Sequence, residues 1–257
     1  MASDPSMASA LEVGSTLRGV KVNAIFWAGG TQVAVSAGSV VQFSGDAIVN
    51  AANTGGLGGG GVDGAVNAAG GRDLVKAREA LPVSPEGERI PVGEARATVA
   101  GRLQAKWVVH AVGPIFRSAE GGDFSECDDL LHNAYANSLR AAAEHNVSTI
   151  GFSLLSAGIF RGGRPLINVL EIACEAIKDN VYEGLTEVHL VAFTAEEQRV
   201  LLEAARKVFA SPDEGRSASE EPSVAQEVAT APPNGNSEEL AEPEAKRPRV
   251  FPSCELM

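Results

Sequence analysis

The sequence has few cysteines, and they are not spaced for a disulfide framework or a zinc site. The three residues, Cys127, Cys174 and Cys254, lie far apart and form no C-x-x-C pair. The four histidines are also scattered, without the spacing of metal ligands. They are His110, His132, His145 and His189. We therefore predict no metal and a reducing compartment.

Long apolar runs and excess basic charge are also missing. No segment is apolar for the roughly 20 residues that span a bilayer, and the N-terminal residues lack the apolar stretch of a signal peptide. We expect a soluble intracellular protein with no membrane partner. Lys and Arg number 21 against 33 Asp and Glu, a net charge of −12, which argues against broad binding to nucleic acid.

The last 47 residues, 211–257, are rich in Ser, Pro and Glu and poor in large apolar side chains. Such a segment cannot bury enough surface to offset its ordering entropy, so we predict a disordered acidic tail. Its "AKRPR" (245–249) resembles a nuclear-import signal, with a solvated charge cluster as the alternative. We predict a flexible N-terminus (1–18), a folded domain (19–210) and this tail, in the cytoplasm, the nucleus or both.

Strand and helix patterns alternate before the tail, which predicts an α/β layered fold around a mostly parallel or mixed sheet. Short apolar runs predict the strands "VKVNAIFW", "QVAVSAG", "AIVNAAN", "KWVVHAVG", "TIGFSLL" and "TEVHLVAF". Apolar residues at helical spacing, such as Leu131, Tyr135 and Leu139, predict a helix after the fourth run. Further helices are expected after Pro165 and over 195–209.

A glycine-rich stretch follows the strand "AIVNAAN" and leads directly into a helical pattern. Such a loop can turn several N–H groups toward an anion, and the helix dipole adds to the attraction, so a phosphate group is the expected ligand. Gly56, Gly58 and Gly61 also fit a dinucleotide fingerprint, although they do not follow the strand directly. An enzyme that uses a nicotinamide dinucleotide therefore remains a distant alternative, while an ATP-type loop is excluded because no G-K-[ST] is present.

A second loop, "SLLSAGIFRGGRP" (153–165), again runs from a buried strand into a helix. With it, the chain strongly resembles the macrodomain family, which binds ADP-ribose. The matching segments are "DAIVNAAN" (46–53), "GGGGVDGAV" (58–66), "VGEARAT" (92–98), "KWVVHAVGPIF" (106–116) and "LLSAGIF" (154–160). The resemblance implies a three-layer α/β/α sandwich with a mixed, mostly parallel sheet and a ligand cleft across the strand ends.

The resemblance also implies two walls that hold the diphosphate of ADP-ribose. The first consists of Gly58, Gly59, Gly60, Gly61 and Val62, and the second of Ser156, Ala157, Gly158, Ile159 and Phe160. Asn53 resembles the asparagine that bonds the distal ribose, and Phe160 the aromatic residue that aligns it. Asn50 is either a further ligand contact or a structural residue. Phe160 has an alternative as an ordinary core residue.

Asp63 resembles the catalytic acid-base residue of hydrolytic macrodomains, which several binding-only members lack. Its alternative is an acid that merely stabilises a helix start. In relatives an aspartate grips the adenine from a turn that is occupied here by Ser39 and Val40. Ser39 carries no charge, so adenine would be held more weakly or by another acid. Arg161 could either reach a phosphate or be solvated.

The resemblance therefore implies a hydrolase that removes mono-ADP-ribose from acidic protein side chains, with Asn53 and Asp63 as catalytic residues. O-acetyl-ADP-ribose is a second candidate substrate, since it contains the same type of ester. The chief alternative is a reader that binds ADP-ribosylated proteins without turnover. We expect no cofactor and a monomer.

Overall fold

The computed structural model describes residues 11–116 and 123–210. Eight strands occur within these ranges: β1 (Thr16–Leu17), β2 (Val20–Ala28), β3 (Thr31–Ala37), β4 (Ala47–Ala51), β5 (Ala95–Val99), β6 (Trp107–Ala111), β7 (Thr149–Ser153) and β8 (Glu187–Ala192). The helices are α1 (Gly61–Glu79), α2 (Ser125–Ala143), α3 (Leu166–Asn180) and α4 (Ala195–Phe209). The predicted tail, 211–257, lies outside the described residues.

The strands form one mixed sheet in the order β1-β2-β3-β8-β7-β4-β6-β5. The central strands β3, β8, β7, β4 and β6 are parallel, while β1, β2 and β5 join antiparallel at the two edges. Because β4 and β7 are parallel neighbours, the loops that follow them emerge at the same edge of the sheet. The predicted α/β class with a mixed, mostly parallel sheet is confirmed.

Alternate residues of each strand point to opposite faces, and this alternation separates two hydrophobic cores. Val49 of β4 belongs to the core formed with α2, α3 and α4. Its neighbour Ile48 packs in the core that contains Val66 and Leu74 of α1. Helices therefore cover both faces, as expected for a three-layer sandwich. Asn50 lies two residues from Ile48 and so faces α1.

The helical stripe predicted in α2 is confirmed, because Leu131, Tyr135 and Leu139 are all buried. Strand β5 was not predicted. Its sequence "ARATV" consists mostly of small residues and includes the charged Arg96, so it offers little apolar signal, and an edge strand needs less apolar surface than a central one. No helix in the described ranges is both long and apolar enough to cross a membrane.

Residues before the predicted boundary at residue 19 also contact the sheet. Leu11 is buried, and β1 pairs with β2. Arg18 then donates two hydrogen bonds to the Glu187 carboxylate, at 2.6 and 3.0 Å. These contacts attach residues 11–18 to the sheet, whereas residues 1–10 lie outside the described part of the chain.

Candidate functional site

A cleft opens between the loop that follows β4 and the loop that follows β7. One part, here the serine compartment, has a volume of about 440 Å³ and is lined by Ser39, Val40, Phe193 and Glu197. The other, here the aspartate compartment, has a volume of about 340 Å³ and is lined by Asn53, Asp63, Ser156 and Phe160. Val62 and Gly158 line both, so the compartments adjoin.

The structure brings most of the predicted site residues to these walls. The aspartate compartment is lined by Asn53, Gly59, Gly60, Gly61, Val62, Asp63, Ser156, Gly158, Ile159 and Phe160. Three predicted contact residues, Asn50, Gly58 and Ala157, are not on the lining of either compartment. Asn50 is fully buried behind the wall, which favours its alternative as a structural residue.

Helix α1 presents its N-terminus to the cleft. Gly60 occupies the N-cap position and has no side chain to bond the first N–H groups. Gly61 begins the helix with a φ of 59°, which favours glycine. The first turn of a helix has unpaired N–H groups and the positive end of the dipole, so this end of the cleft suits an anionic ligand.

The Asp63 carboxylate lies at the floor of the aspartate compartment and is only 3 % exposed. Its Oδ1 accepts a hydrogen bond of 2.6 Å from Nη1 of Arg78 and one of 2.7 Å from Nδ2 of Asn50. Its Oδ2 accepts only a longer bond, 3.3 Å, from Nη2 of Arg78. Asp63 is therefore a partner in a buried ion pair, which neither sequence-based interpretation anticipated.

Arg78 reaches Asp63 because the chain turns sharply within α1. The residues are 15 positions apart, and a straight helix would separate them by about 22 Å at 1.5 Å per residue. Gly71 interrupts the helix with φ 69° and ψ −154°, a conformation available almost only to glycine. The kink folds the second half of α1 back toward its own start.

A second buried polar group continues the network into the sheet. His110 lies directly beside Asn50 in the β4–β6 pairing, with 3.1 Å between its Nδ1 and Nδ2 of Asn50. Its Nε2 is 2.9 Å from Oγ1 of Thr98 on β5. Burial, and then the charge of Arg78, lower the pKa of His110 to about 3. His110 is therefore neutral, as expected for a buried strand histidine.

These contacts select one tautomer for His110. The Asn50 amide is a donor, so it can donate one hydrogen to Asp63 and the other to Nδ1 of His110. The ring proton then lies on Nε2 and is donated to Thr98, whose hydroxyl is 3.3 Å from the Val99 carbonyl. A single chain of hydrogen bonds thus extends from β5 to the carboxylate in the cleft.

Asn53 shapes the glycine loop as well as lining the cleft. Its Nδ2 donates to the Gly58 carbonyl at 2.9 Å, and its Oδ1 accepts from the Gly56 amide at 3.2 Å. Each of these atoms has a further hydrogen or lone pair for a ligand. Asn53 therefore lines the aspartate compartment with part of its bonding capacity used by the loop.

The second wall is held by bonds that point away from the cleft. Ser156 has a φ of 54°, unusual for a residue with a side chain, and its hydroxyl donates to the Pro114 carbonyl at 2.7 Å. Arg161 donates to the carbonyls of Ala157 and Arg164 at 3.3 and 3.1 Å, so it braces the loop. Phe160 is half-buried on the wall, not an interior core residue.

The serine compartment contains an acid that the sequence interpretation missed. Glu197 lines it together with Ser39, and Phe193 at its rim is 75 % exposed. Oε2 of Glu197 accepts the amides of Phe193 and Thr194 at 2.9 and 2.8 Å, as part of the capping box of α4. Because β8 ends at the same sheet edge as β4 and β7, its following residues could have been assigned to the cleft.

Arg78 was also missed, although the sequence contains a signal for it. It lies four positions after the buried Leu74, so a charged residue occupies the apolar face of a helix, which predicts a buried partner. Within residues 11–116 and 123–210, no group of three or more His, Cys, Asp or Glu is arranged to hold a metal.

Comparisons with known proteins agree with this architecture. A family model described as Macro domain matches residues 49–173. A macro domain-containing protein from Cupriavidus necator is 40 % identical over 176 residues, which cover 68 % of this chain and 97 % of that protein. An O-acetyl-ADP-ribose deacetylase from Escherichia fergusonii is 36 % identical over 172 residues, 66 % of this chain and 93 % of that protein.

Solved structures give the same result. The Oceanobacillus iheyensis macrodomain with ADP superposes with a TM-score of 0.64 at 28 % identity, covering 72 % of this chain and 95 % of that one. The chain belongs to the macro domain family.

Proposed function

We propose that the cleft binds ADP-ribose. The adenine would occupy the serine compartment, the diphosphate the N-terminus of α1, and the distal ribose the aspartate compartment. The adjoining volumes and the uncapped helix start support this arrangement. Further support comes from the solved relative, which holds ADP, and from the relative that is named as an O-acetyl-ADP-ribose deacetylase.

We propose further that the protein hydrolyses the ester between ADP-ribose and an acidic protein side chain, and the ester of O-acetyl-ADP-ribose. The observation that carries this proposal is the Asp63 carboxylate at the floor of the aspartate compartment. Oδ1 is occupied by two short bonds, whereas Oδ2 has one long bond and spare lone pairs. Oδ2 is therefore the atom that can orient or deprotonate a water.

The reaction consumes one water molecule for each ester. The water oxygen bonds to the electrophilic carbon of the ester while the C–O bond to the departing group breaks, and Asp63 accepts one water proton and passes it to the departing oxygen. The products are ADP-ribose and a free carboxylic acid, which at neutral pH releases the proton to solvent. In the proposed step the Asn53 amide positions the ribose, a role that its place on the compartment lining supports.

One observation favours the alternative, a reader without turnover. Both Asp63 oxygens accept hydrogen bonds from Arg78, as they would in a purely structural ion pair. In that case the carboxylate would organise the glycine loop and contribute nothing to ester cleavage. The two functions predict the same ligand and differ only in release of ADP-ribose.

Asp63→Asn distinguishes the two functions better than Asp63→Ala. Removing the side chain would leave the buried Arg78 charge without a partner, which typically costs about 3–5 kcal/mol and invites misfolding. Asparagine keeps an oxygen for one Arg78 bond and cannot act as a base. The assay follows release of ADP-ribose from a protein modified on glutamate, with calorimetric binding of ADP-ribose to wild type and variant.

The hydrolase function is supported if the wild type releases ADP-ribose from the modified protein and Asp63→Asn, although it still binds free ADP-ribose, catalyses this release at least about 100-fold more slowly. A loss of this size is usual when a general base is removed. If both proteins bind and neither releases, the protein is a reader. Equal rates of ADP-ribose release by the wild type and Asp63→Asn would show that Asp63 takes no part in the reaction.

A further inference from the structure

Arg78 is buried to an extent that is rare for arginine. Its side chain has no exposed surface, and its partner Asp63 is 15 positions away in the sequence. Burying a guanidinium is costly unless it is paired and fully hydrogen-bonded. Arg78 lies behind Asp63, which lines the aspartate compartment, so its burial is expected to serve the site as well as the fold.

The guanidinium joins three parts of the site. It donates to Asp63 from Nη1 and Nη2, to the Gly56 carbonyl from Nε at 2.5 Å, and to Oδ1 of Asn67 from Nη1 at 2.8 Å. Asn67 in turn donates to the Leu57 carbonyl at 2.9 Å. The glycine loop and the carboxylate are therefore held by one planar group.

This geometry also decides which carboxylate oxygen faces the cleft. The shortest bond from Arg78 and the bond from Asn50 both end on Oδ1, so the carboxylate cannot rotate without losing both. Oδ2 lies next to the glycine loop, 3.4 Å from where a Cβ on Gly59 would stand. Fixing Oδ1 on the interior side leaves Oδ2 on the ligand side.

We infer that Arg78 is a positioning residue for ester hydrolysis, which acts by holding Asp63 with Oδ2 toward the ligand. The inference rests on the proposed hydrolase function. Arg78 does not touch the ligand. Arg78 affects the rate of ester hydrolysis only through Asp63. Its effect on that rate should therefore disappear when Asp63 can no longer act as a base.

A four-protein cycle tests this dependence: wild type, Asp63→Asn, Arg78→Met and the double variant. Methionine fills a similar volume without charge. We expect Arg78→Met to lower the single-turnover rate of ADP-ribose release by about 10- to 100-fold, the size expected when a reacting group is misplaced by about 1 Å. ADP-ribose affinity should change less than about threefold. In the Asp63→Asn background, Arg78→Met should lower the rate by less than about twofold, because the carboxylate it positions is absent.

Two further variants separate positioning from folding. Arg78→Lys keeps the charge without the planar fork, so it should fold and recover part of the rate that Arg78→Met loses. Leu74→Ala is the matched control. Truncating this fully buried residue of the same helix segment leaves a cavity and lowers stability, and Leu74 has no side-chain group that could donate a hydrogen bond to Asp63. At a temperature where it remains folded, it should keep the wild-type rate.

The outcomes distinguish the inference from the function on which it rests. No release by the wild type overturns the hydrolase and the inference with it. Release that falls in Asp63→Asn but stays at the wild-type rate in Arg78→Met and Arg78→Lys overturns the inference alone. An equal loss from Arg78→Met in both backgrounds also overturns it, since Arg78 would then act independently of Asp63. If Arg78→Met does not fold, the Arg78→Lys cycle decides by the same criterion.

Discussion

The buried His110 should make the stability of the protein depend on pH well above the range where carboxylates titrate. Burial and the Arg78 charge lower its pKa to about 3 in the folded protein, against about 6.5 in an unfolded chain. The unfolded state therefore binds a proton as pH falls below 6.5, while the folded state does not. The stability that neutral His110 preserves is fully present above pH 6.5 and is lost as pH falls toward 3.

The size of this loss follows from one proton. Between the two pKa values the free energy of unfolding should fall by about 1.4 kcal/mol per pH unit, which amounts to roughly 2 kcal/mol between pH 7.5 and pH 5. His110→Gln removes the titration and keeps an amide that can bond Asn50 or Thr98. The variant should be less stable at pH 7.5, because its network is less well formed, but its stability should change less down to pH 5.

Urea unfolding at pH 5, 6, 7 and 8 measures this effect, with the difference between wild type and His110→Gln at each pH as the result. The stability difference should narrow by roughly 2 kcal/mol as pH falls to 5. Parallel curves for the two proteins would refute the argument. They would mean that His110 binds a proton equally well in both states, and that the buried chain from Thr98 to Asp63 is not formed as described.

Two further predictions test the kink in α1 and the acid in the serine compartment. Gly71→Ala should lower the free energy of unfolding by about 1–3 kcal/mol, because a φ of 69° is strained for a residue with a Cβ. The Arg102 side chain, 2.7 Å from where that Cβ would stand, would also have to shift. Urea unfolding beside Gly30→Ala, where a Cβ meets nothing within 4 Å, should show the loss only at Gly71. If adenine occupies the serine compartment as proposed, Glu197 is the acid that can accept a hydrogen bond from its amino group. Glu197→Gln should then weaken ADP-ribose binding by about one to two decades, because the charged acceptor is lost while glutamine can still cap α4. Calorimetry with Glu196→Gln as control checks this, and an unchanged Kd would show that Glu197 does not hold the base.

The parts of the fold that follow local rules could be predicted from the sequence. Strands β4, β6, β7 and β8 are short apolar runs buried on both faces, and each is bounded by glycine or polar residues. Their alternation with helices requires parallel pairing, which in turn brings the following loops to one edge. The cleft between those loops was thus accessible to reasoning from the chain alone.

The environment of Asp63 was not accessible in the same way. A helix pattern that runs through Gly71 predicts that Asp63 and Arg78 lie about four turns apart. The two side chains meet only because Gly71 has a positive φ and kinks the helix, and a glycine within a helical pattern does not by itself predict a kink. Asn50 could have been assigned with more confidence, since its position two residues after Ile48 places it on the face that packs against α1.

The buried network means that chemistry and stability at this site rest on the same side chains. Asn50 and Arg78 both bond Oδ1 of Asp63, and His110 joins the network through Asn50. Loss of activity in any one variant is therefore open to two explanations, a missing catalytic group or a loosened loop. Variants that keep the number of buried charges balanced separate these explanations most directly. The double variant Asp63→Asn with Arg78→Met removes both charges together, so we expect it to be more stable than either single variant, and thermal unfolding of the four proteins measures this directly. If the double variant is instead the least stable by the sum of the single losses, the two side chains contribute independently and the ion pair does not organise the cleft.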